Sequence, residues 1–193
     1  MPNWCSSSYV IEGDKKEVRK LFGIMNRLER RKKPAVKNGF GTAWLGCLVN
    51  ALGEDWNKIY CRGDWSNLEM VNDTVRFTTE TAWGPCNEVL DLILQKFPSL
   101  SYYFLCEEPG MGIYQTNDGE GKYFSDKYRV DVCTPDEKYQ CEYFSDKSVM
   151  YKWLEELFGQ PIASDDDIRI LVDNLEKKSE NAYCYIDEFS VVR

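Results

Sequence analysis

The sequence predicts an α+β fold in which helices pack on one face of an antiparallel sheet. Two amphipathic helical patterns each lie between strand-like segments, which is the element order of a split β-α-β arrangement. The composition, 43% hydrophobic and 29% charged, is that of an ordinary globular protein. With 193 residues the chain can bury a core without disulfides or a structural metal. We expect one domain over residues 1–193, with a core over 1–120 and an extension over 121–193.

The first strand and the first helix are predicted close to the N-terminus. Residues 4–12 alternate between two sets of side chains, and this period of two is typical of a strand. Gly13 and Asp14 end the strand and begin a helix over about residues 15–33, where apolar side chains recur every three or four positions. Pro34 ends that helix.

An insertion is predicted between the first helix and the second strand. Residues 35–66 are rich in Gly and Trp, and a short helix over about 44–52 with Gly53 as its cap is expected there. Two strands follow, at 67–71 and 74–79, on either side of a polar turn.

The second long helix begins near Pro85. It covers about residues 85–96 and carries an apolar stripe, with the proline in the first turn, where it is tolerated. Residues 100–107 are apolar on both faces, so we expect a central strand buried on both sides. A turn at Pro109-Gly110 leads into a return strand over 110–116.

The C-terminal part is predicted to add a hairpin, two helices and a final strand. The hairpin pairs residues 128–133 with residues 139–144 around a Thr-Pro-Asp turn. A helix over 148–158 follows, and Ser164 caps a second helix whose first turn is acidic. The last strand is expected over 182–192.

Charge is distributed unevenly along this acidic chain. The net charge is −8, yet residues 1–40 contain ten Lys and Arg against four Asp and Glu. An acidic surface disfavours nucleic acid and anionic membranes as partners. The exception is the basic stretch from Arg27 to Lys37, whose simplest interpretation is the solvated end of a helix.

The absence of histidine excludes several kinds of site. Without it, the chain alone cannot form a Ser-His-Asp triad, a Cys-His pair or a His-ligated zinc or iron site. Eight cysteines are scattered, with no Cys-x-x-Cys pair and no ferredoxin-type spacing, and most lie in apolar runs. We therefore expect buried, unpaired cysteines, and no metal, iron–sulfur cluster or other cofactor.

Three parts of the chain carry a resemblance to a known family. They are Met1-Pro2-Asn3-Trp4-Cys5, then Thr81-Ala82-Trp83-Gly84-Pro85, and then Lys96-Phe97-Pro98 with Glu107-Glu108-Pro109-Gly110-Met111-Gly112. In this order and spacing they resemble the YubB-type ferredoxin-like domain family, over roughly residues 1–115. The resemblance implies a ferredoxin-like α+β fold without an iron–sulfur cluster, and a gene carried on phages or conjugative plasmids. The family has no established reaction, so the resemblance assigns no functional residue.

Two carboxylates and a glycine form the most suggestive local pattern. Glu107, Glu108 and Gly110 lie at a predicted strand end, where carboxylates can bind a cation or act as acid and base. Neighbouring residues of a strand point to opposite faces, so the two carboxylates are not expected to converge. The simplest interpretation of this segment is a turn between two strands.

Tryptophans provide the second candidate site. Trp4 and Trp83 are predicted near strand ends, and tryptophan is enriched at the energetic centres of protein interfaces. Large aromatic residues are also common in cores, and burial is the simpler interpretation for Trp4, Trp44, Trp56, Trp65 and Trp83.

The sequence favours a binding protein over an enzyme. We expect a non-enzymatic module that binds another protein in the cytoplasm, since no signal-peptide or membrane-spanning pattern is present and unpaired cysteines suit a reducing compartment. The candidate binding residues are Trp4, Trp83, Glu107, Glu108 and Gly110. Two alternatives stay open: an enzyme that uses Glu107 or Glu108 with a divalent cation, and nucleic-acid-related binding through the basic stretch or through acidic mimicry of DNA.

Overall fold

The structure, a computed structural model, describes residues 2–192, apart from the side chain of Glu176. Its architecture is α+β with two sheets, which confirms the predicted class. The strands are β1 (Trp4–Glu12), β2 (Gly63–Val71), β3 (Thr74–Ala82), β4 (Ser101–Glu108), β5 (Ile113–Thr116), β6 (Tyr128–Cys133), β7 (Tyr139–Phe144), β8 (Tyr183–Glu188) and β9 (Ser190–Val191). The helices are α1 (Lys15–Glu29), α2 (Leu45–Ala51), α3 (Asn87–Lys96), α4 (Lys147–Phe158) and α5 (Asp165–Lys178), with a 3₁₀ turn at Pro109–Met111.

The described chain divides into two compact units. The first contains residues 2–118 and Val192, and the second contains Gly119–Val191. The division lies close to the boundary that the sequence predicts after residue 120. Most of the predicted core and most of the predicted extension therefore correspond to separate bodies, each with its own cluster of buried apolar side chains.

The sheet of the first unit is built around β1. The strand order is β2-β3-β1-β4-β5, with antiparallel pairing between these neighbours. Alternate residues of β1 share one face, and Cys5, Ser7, Tyr9 and Ile11 are all buried there. Apolar side chains of α1, α2 and α3 belong to the same cluster as this face of β1.

The first long helix begins at a side-chain cap and ends where its apolar stripe ends. The Asp14 carboxylate accepts a hydrogen bond from the backbone N–H of Lys16 at 2.9 Å. The buried stripe is Val18, Leu21, Met25 and Leu28. The helix stops at Glu29, four residues before the predicted end, because the residues that follow are basic and have no apolar side chain to bury.

The second strand is longer than predicted. It begins at Gly63, four residues before the predicted start at Asn67. Its register against β3 shifts between Ser66 and Glu69, and Asn67 has a φ of 53°. This irregularity breaks the alternation of buried and exposed side chains. The start of β2 therefore lacks the period of two from which a strand is predicted.

The second long helix starts later than predicted. Its first residue is Asn87, and the residue at the N-cap is Cys86. Pro85 therefore precedes the helix instead of occupying its first turn. Burial along α3 follows the expected stripe, with Val89 and Ile93 fully buried.

The strand that follows is interior to the sheet, as predicted, but it is not equally buried on its two faces. Phe104, Cys106 and Glu108 are buried, whereas Tyr103 and Leu105 on the opposite face are partly exposed. The expectation of a strand buried on both sides is wrong for that second face. Its apolar residues hid the alternation because tyrosine and leucine also tolerate partial exposure.

The second unit combines a three-stranded sheet with two helices. Its order is β7-β6-β8, and the β6–β7 hairpin has the predicted bounds. Side chains of Asp146 and Ser164 cap α4 and α5. The final predicted strand is interrupted at Phe189, whose N–H donates to the Lys127 carbonyl at 2.9 Å, so it divides into β8 and β9.

Two glycines allow a matched test of this packing. Gly13 has a φ of 150°, and an added Cβ would lie 2.4 Å from the Ser99 carbonyl oxygen, so we expect Gly13→Ala to destabilise the protein by at least about 2 kcal/mol. Gly23 lies within α1 with no heavy atom within 4 Å of an added Cβ, so Gly23→Ala should stabilise it by about 0.5–1 kcal/mol. Urea denaturation measures both changes, and equal effects of the two variants would contradict this description of the β1–α1 turn.

Candidate functional site

Three of the stretches that carry the family resemblance, residues 2–5, 81–85 and 107–112, meet at one end of the first unit's sheet, whereas Lys96-Phe97-Pro98 lies before the start of β4, towards the other end. Trp4 pairs with Ala82, and the backbone N–H of Trp83 donates to the Asn3 carbonyl at 2.8 Å. The turn after β4 reaches the same place, because an added Cβ on Gly110 would lie 2.6 Å from Nδ2 of Asn3. We call this region the motif end and define it by Asn3, Trp4, Trp83, Glu108, Gly110 and Met111.

The tryptophans divide between core and surface. Trp44 and Trp65 are buried and Trp56 is partly buried, as the simpler interpretation expects. Trp4 and Trp83 are 44% and 45% exposed, although they lie at the ends of two central strands. The motif end therefore presents two large aromatic side chains to solvent.

The backbone at Trp83 is held in an unusual conformation. Its φ is 68°, a left-handed value that costs a residue with a side chain about 1–2 kcal/mol. Hydrogen bonds on both sides hold the turn: the Thr81 hydroxyl donates to the Gly84 carbonyl at 2.8 Å, and the Tyr60 hydroxyl donates to the Ala82 carbonyl. The fold thus stabilises a strained position that a glycine would occupy at lower cost.

The two adjacent carboxylates point to opposite faces of β4. Glu107 lies opposite Ser6 and is partly exposed, whereas Glu108 is 2% exposed on the face that the helices cover. The expectation that the pair does not converge is confirmed. Within residues 2–192, no group of three or more cysteine or carboxylate side chains is arranged to hold a metal ion.

Glu108 is a buried carboxylate that closes the turn after β4. Its Oε1 accepts a hydrogen bond from the backbone N–H of Gly110 at 2.9 Å, while its buried Oε2 has no hydrogen-bond partner among the described residues. The Gly110 position is tight, since a side chain there would meet both Asn3 and Glu108. Glu108 and Gly110 therefore form the buried part of the motif end. Met111, 54% exposed, lies at its surface.

The thiols of Cys5, Cys86 and Cys106 next to this site are buried. A hydrogen bond from Cys106 to Cys5 raises the pKa of Cys106, with burial acting in the same direction, and lowers the pKa of Cys5. Burial raises the pKa of Cys86 to about 12. The raised pKa values of Cys86 and Cys106 disfavour the thiolate, which is the reactive form of cysteine.

A second aromatic surface, which the sequence did not single out, lies on the sheet of the second unit. Val130 and Val132 of β6 face the helices, so the residues paired with its other positions face away from them. Four tyrosines occupy that outer face, namely Tyr139, Tyr143, Tyr183 and Tyr185, and the first, second and fourth are exposed. The alternation of tyrosine in β7 and β8 was the available sequence signal.

Comparisons with known proteins identify no relative of this chain. No protein-family model matches the chain, and searches of curated proteins and of solved structures likewise find no match. The resemblance to the YubB-type family therefore stays a prediction. Over residues 2–192, none of the helices has the length and apolar character needed to cross a membrane.

The burial of the cysteines predicts how they react with thiol reagents. Seven of the eight are buried and Cys141 is exposed, and burial raises the pKa of Cys61 and Cys184 to about 11 and about 12. We expect Ellman's reagent to titrate one thiol in the native protein and eight in guanidinium chloride. The Cys141→Ser variant should lose the native reaction, and rapid native titration of several thiols would contradict the described core.

The divergence of Glu107 and Glu108 also predicts the response to metals. Because the carboxylates lie on opposite faces of β4, we expect no rise in melting temperature with millimolar Mg²⁺, Mn²⁺ or Ca²⁺. A rise that disappears in the Glu107→Ala/Glu108→Ala double variant would instead support the alternative of a carboxylate enzyme.

Proposed function

We propose that this chain is a non-enzymatic module that binds another protein through the motif end. The observation that carries the proposal is Trp83, a half-exposed tryptophan held at a φ of 68°, whose backbone N–H donates to the carbonyl of Asn3, the residue before the half-exposed Trp4. Stabilisation of the core does not explain this arrangement, because neither tryptophan side chain is fully buried and the backbone conformation at Trp83 costs free energy. Strain of this kind persists when the surrounding structure enforces it, and it is concentrated at functional sites.

The composition of the motif end suits a protein partner. Tryptophan dominates the energetics of protein interfaces because a large, rigid side chain loses little conformational entropy when it is buried. Met111 adds a flexible apolar side chain that adapts to irregular surfaces. Trp4 is also supported from one side by Phe40, whose ring lies 6.4 Å away in an edge-on arrangement.

An enzymatic function has less support. The carboxylates of Glu107 and Glu108 diverge, and the neighbouring thiols of Cys86 and Cys106 have raised pKa values. A general acid and base need to converge on one substrate, and a cysteine nucleophile needs a lowered pKa and access to solvent.

We further propose that the first unit has a ferredoxin-like core and that the chain belongs to the YubB-type family. The succession β1-α1-β2-β3-α3-β4, with the short α2 inserted before β2, and the strand order β2-β3-β1-β4 support the first proposal. The meeting of residues 2–5, 81–85 and 107–112 at one end of the sheet supports the second. Origin on a phage or conjugative plasmid follows as a proposal from that family, and a cytoplasmic location is proposed because unpaired cysteines suit a reducing compartment.

Site-specific photo-crosslinking in the organism that carries the gene tests the binding function. The chain is produced with a benzophenone amino acid at position 83, or at the control position of Met70, which is comparably exposed on β2. We expect a discrete crosslinked protein from position 83 that is absent from position 70. The proposal is overturned if both positions give the same products or neither gives any.

The identified partner then allows a quantitative test with purified proteins. We expect Trp4→Ala and Trp83→Ala each to weaken binding about 30-fold, which corresponds to about 2 kcal/mol of binding free energy. Replacing a tryptophan at the centre of an interface by alanine typically causes at least this loss. Because both side chains are half-exposed, the melting temperatures should change little. Unchanged affinity in both variants would place the interface elsewhere.

A further inference from the structure

A groove with a basic edge and an apolar floor lies between α1 and α2. Its volume is about 330 Å³, at the lower end of the range for ligand sites. Arg27 and Arg31 carry the positive charge, and both are exposed. The remaining lining residues are Ile24, Leu28, Ala35, Asn50 and Ala51.

The cations around this groove form no ion pair with the acidic side chains that the structure describes. The stretch over 27–37 contains six Lys and Arg and one acidic residue. Among residues 2–192, none of those six forms an ion pair, although Lys15, Arg19 and Lys96 of the same unit each pair with a carboxylate. The guanidinium of Arg31 makes one hydrogen bond, from Nε to the Lys33 carbonyl at 3.2 Å. A chain with 32 acidic residues thus keeps a block of like charges together and unneutralised.

We propose that this groove binds an acidic segment of a partner protein that also carries apolar side chains. Carboxylates of the segment would pair with the planar guanidinium groups of Arg27 and Arg31, which match carboxylate geometry in two parallel hydrogen bonds. Its apolar side chains would enter against Ile24, Leu28 and Ala51. The neutralisation of Arg27 and Arg31 supplies the orientation, and the apolar floor supplies contact area.

The lining favours a peptide over a nucleic acid. None of the groove's lining residues is aromatic, so bases would have nothing to stack on. The apolar side chains of the floor make no favourable contact with a phosphate backbone. The excess of acidic residues after residue 40 also repels an extended polyanion. The groove shares no residue with the motif end, so the inference does not depend on the proposed function.

Selection from a phage-displayed library of random 15-residue peptides, with the full chain as bait, tests the proposal. We expect the selected peptides to be enriched in Asp and Glu and to contain Leu, Ile, Phe or Met. A synthetic copy of the most enriched peptide serves as the probe for affinity measurements by fluorescence anisotropy. Selected peptides without acidic enrichment would overturn the proposal.

Variants then connect the probe with the groove. Arg27→Glu/Arg31→Glu should weaken its binding at least about tenfold, while Arg27→Lys/Arg31→Lys should cause a smaller loss because lysine keeps the charge but not the paired hydrogen bonds. Ala51→Trp should also weaken binding, since it fills the groove without changing any charge. Circular dichroism and the melting temperature show whether each variant remains folded.

A matched control separates the groove from general electrostatics. Lys16→Glu/Lys58→Glu makes the same change of net charge at two exposed lysines of the same unit. We expect this control to bind the probe almost as well as the wild type. Equal losses in the control and the Arg27/Arg31 variant, no effect of Ala51→Trp, or tighter binding of a single-stranded oligonucleotide than of the probe would each overturn the proposal. Self-association lost in Arg27→Glu/Arg31→Glu would overturn it in favour of a second copy of the chain.

Discussion

The register of β1 between its two neighbours is the constraint on which the first unit depends. Tyr9, at its centre, is buried with its ring stacked against Phe77 on one side and Phe104 on the other, at centroid distances of 5.1 Å and 5.9 Å. Its hydroxyl still donates to Asn87 at 2.9 Å, so burial leaves this polar group satisfied. A slip of one residue would turn the core face of β1 towards the other side of the sheet and abolish these contacts. The pairing of β1 therefore determines which residues of distant segments meet.

The motif end is a direct consequence of that register. Because Trp4 lies opposite Ala82 on one side and Ser6 lies opposite Glu107 on the other, the start of β1 is flanked by the ends of β3 and β4. Both flanking strands end in tight turns, one at Trp83 and one at the 3₁₀ turn Pro109–Met111. The helix α1 follows β1 and ends among the basic residues that line the groove. The first unit therefore carries both the aromatic surface of the motif end and the basic groove.

The aromatic surface and the groove, which we propose as binding sites, differ in the physical basis of the recognition they would provide. At the motif end, preorganised aromatic side chains offer apolar area with little loss of entropy on binding. At the groove, Arg27 and Arg31 offer charge that no described residue neutralises in an ion pair. Charge at an interface edge mainly controls orientation and association rate, whereas buried aromatic area mainly controls the lifetime of a complex. A module with both surfaces can bind one partner at two places or two partners separately.

Local sequence patterns determined the class of the fold and nearly all of its elements. The alternation in β1, the apolar stripes of α1 and α3, the caps at Asp14 and Ser164 and the β6–β7 hairpin all depend on contacts between near neighbours, so they are visible in the chain itself. The absence of histidine likewise limits the possible chemistry through composition alone.

The bulge at Asn67 hid the start of β2, because an irregular register leaves no period to detect. Tertiary structure alone decided that Trp4 and Trp83 are exposed while Trp44 and Trp65 are buried, and that Arg27 and Arg31, at the solvated end of α1 as predicted, also border a groove. The physical reason is that burial depends on which distant segments pair and pack, and residue type does not specify those partners.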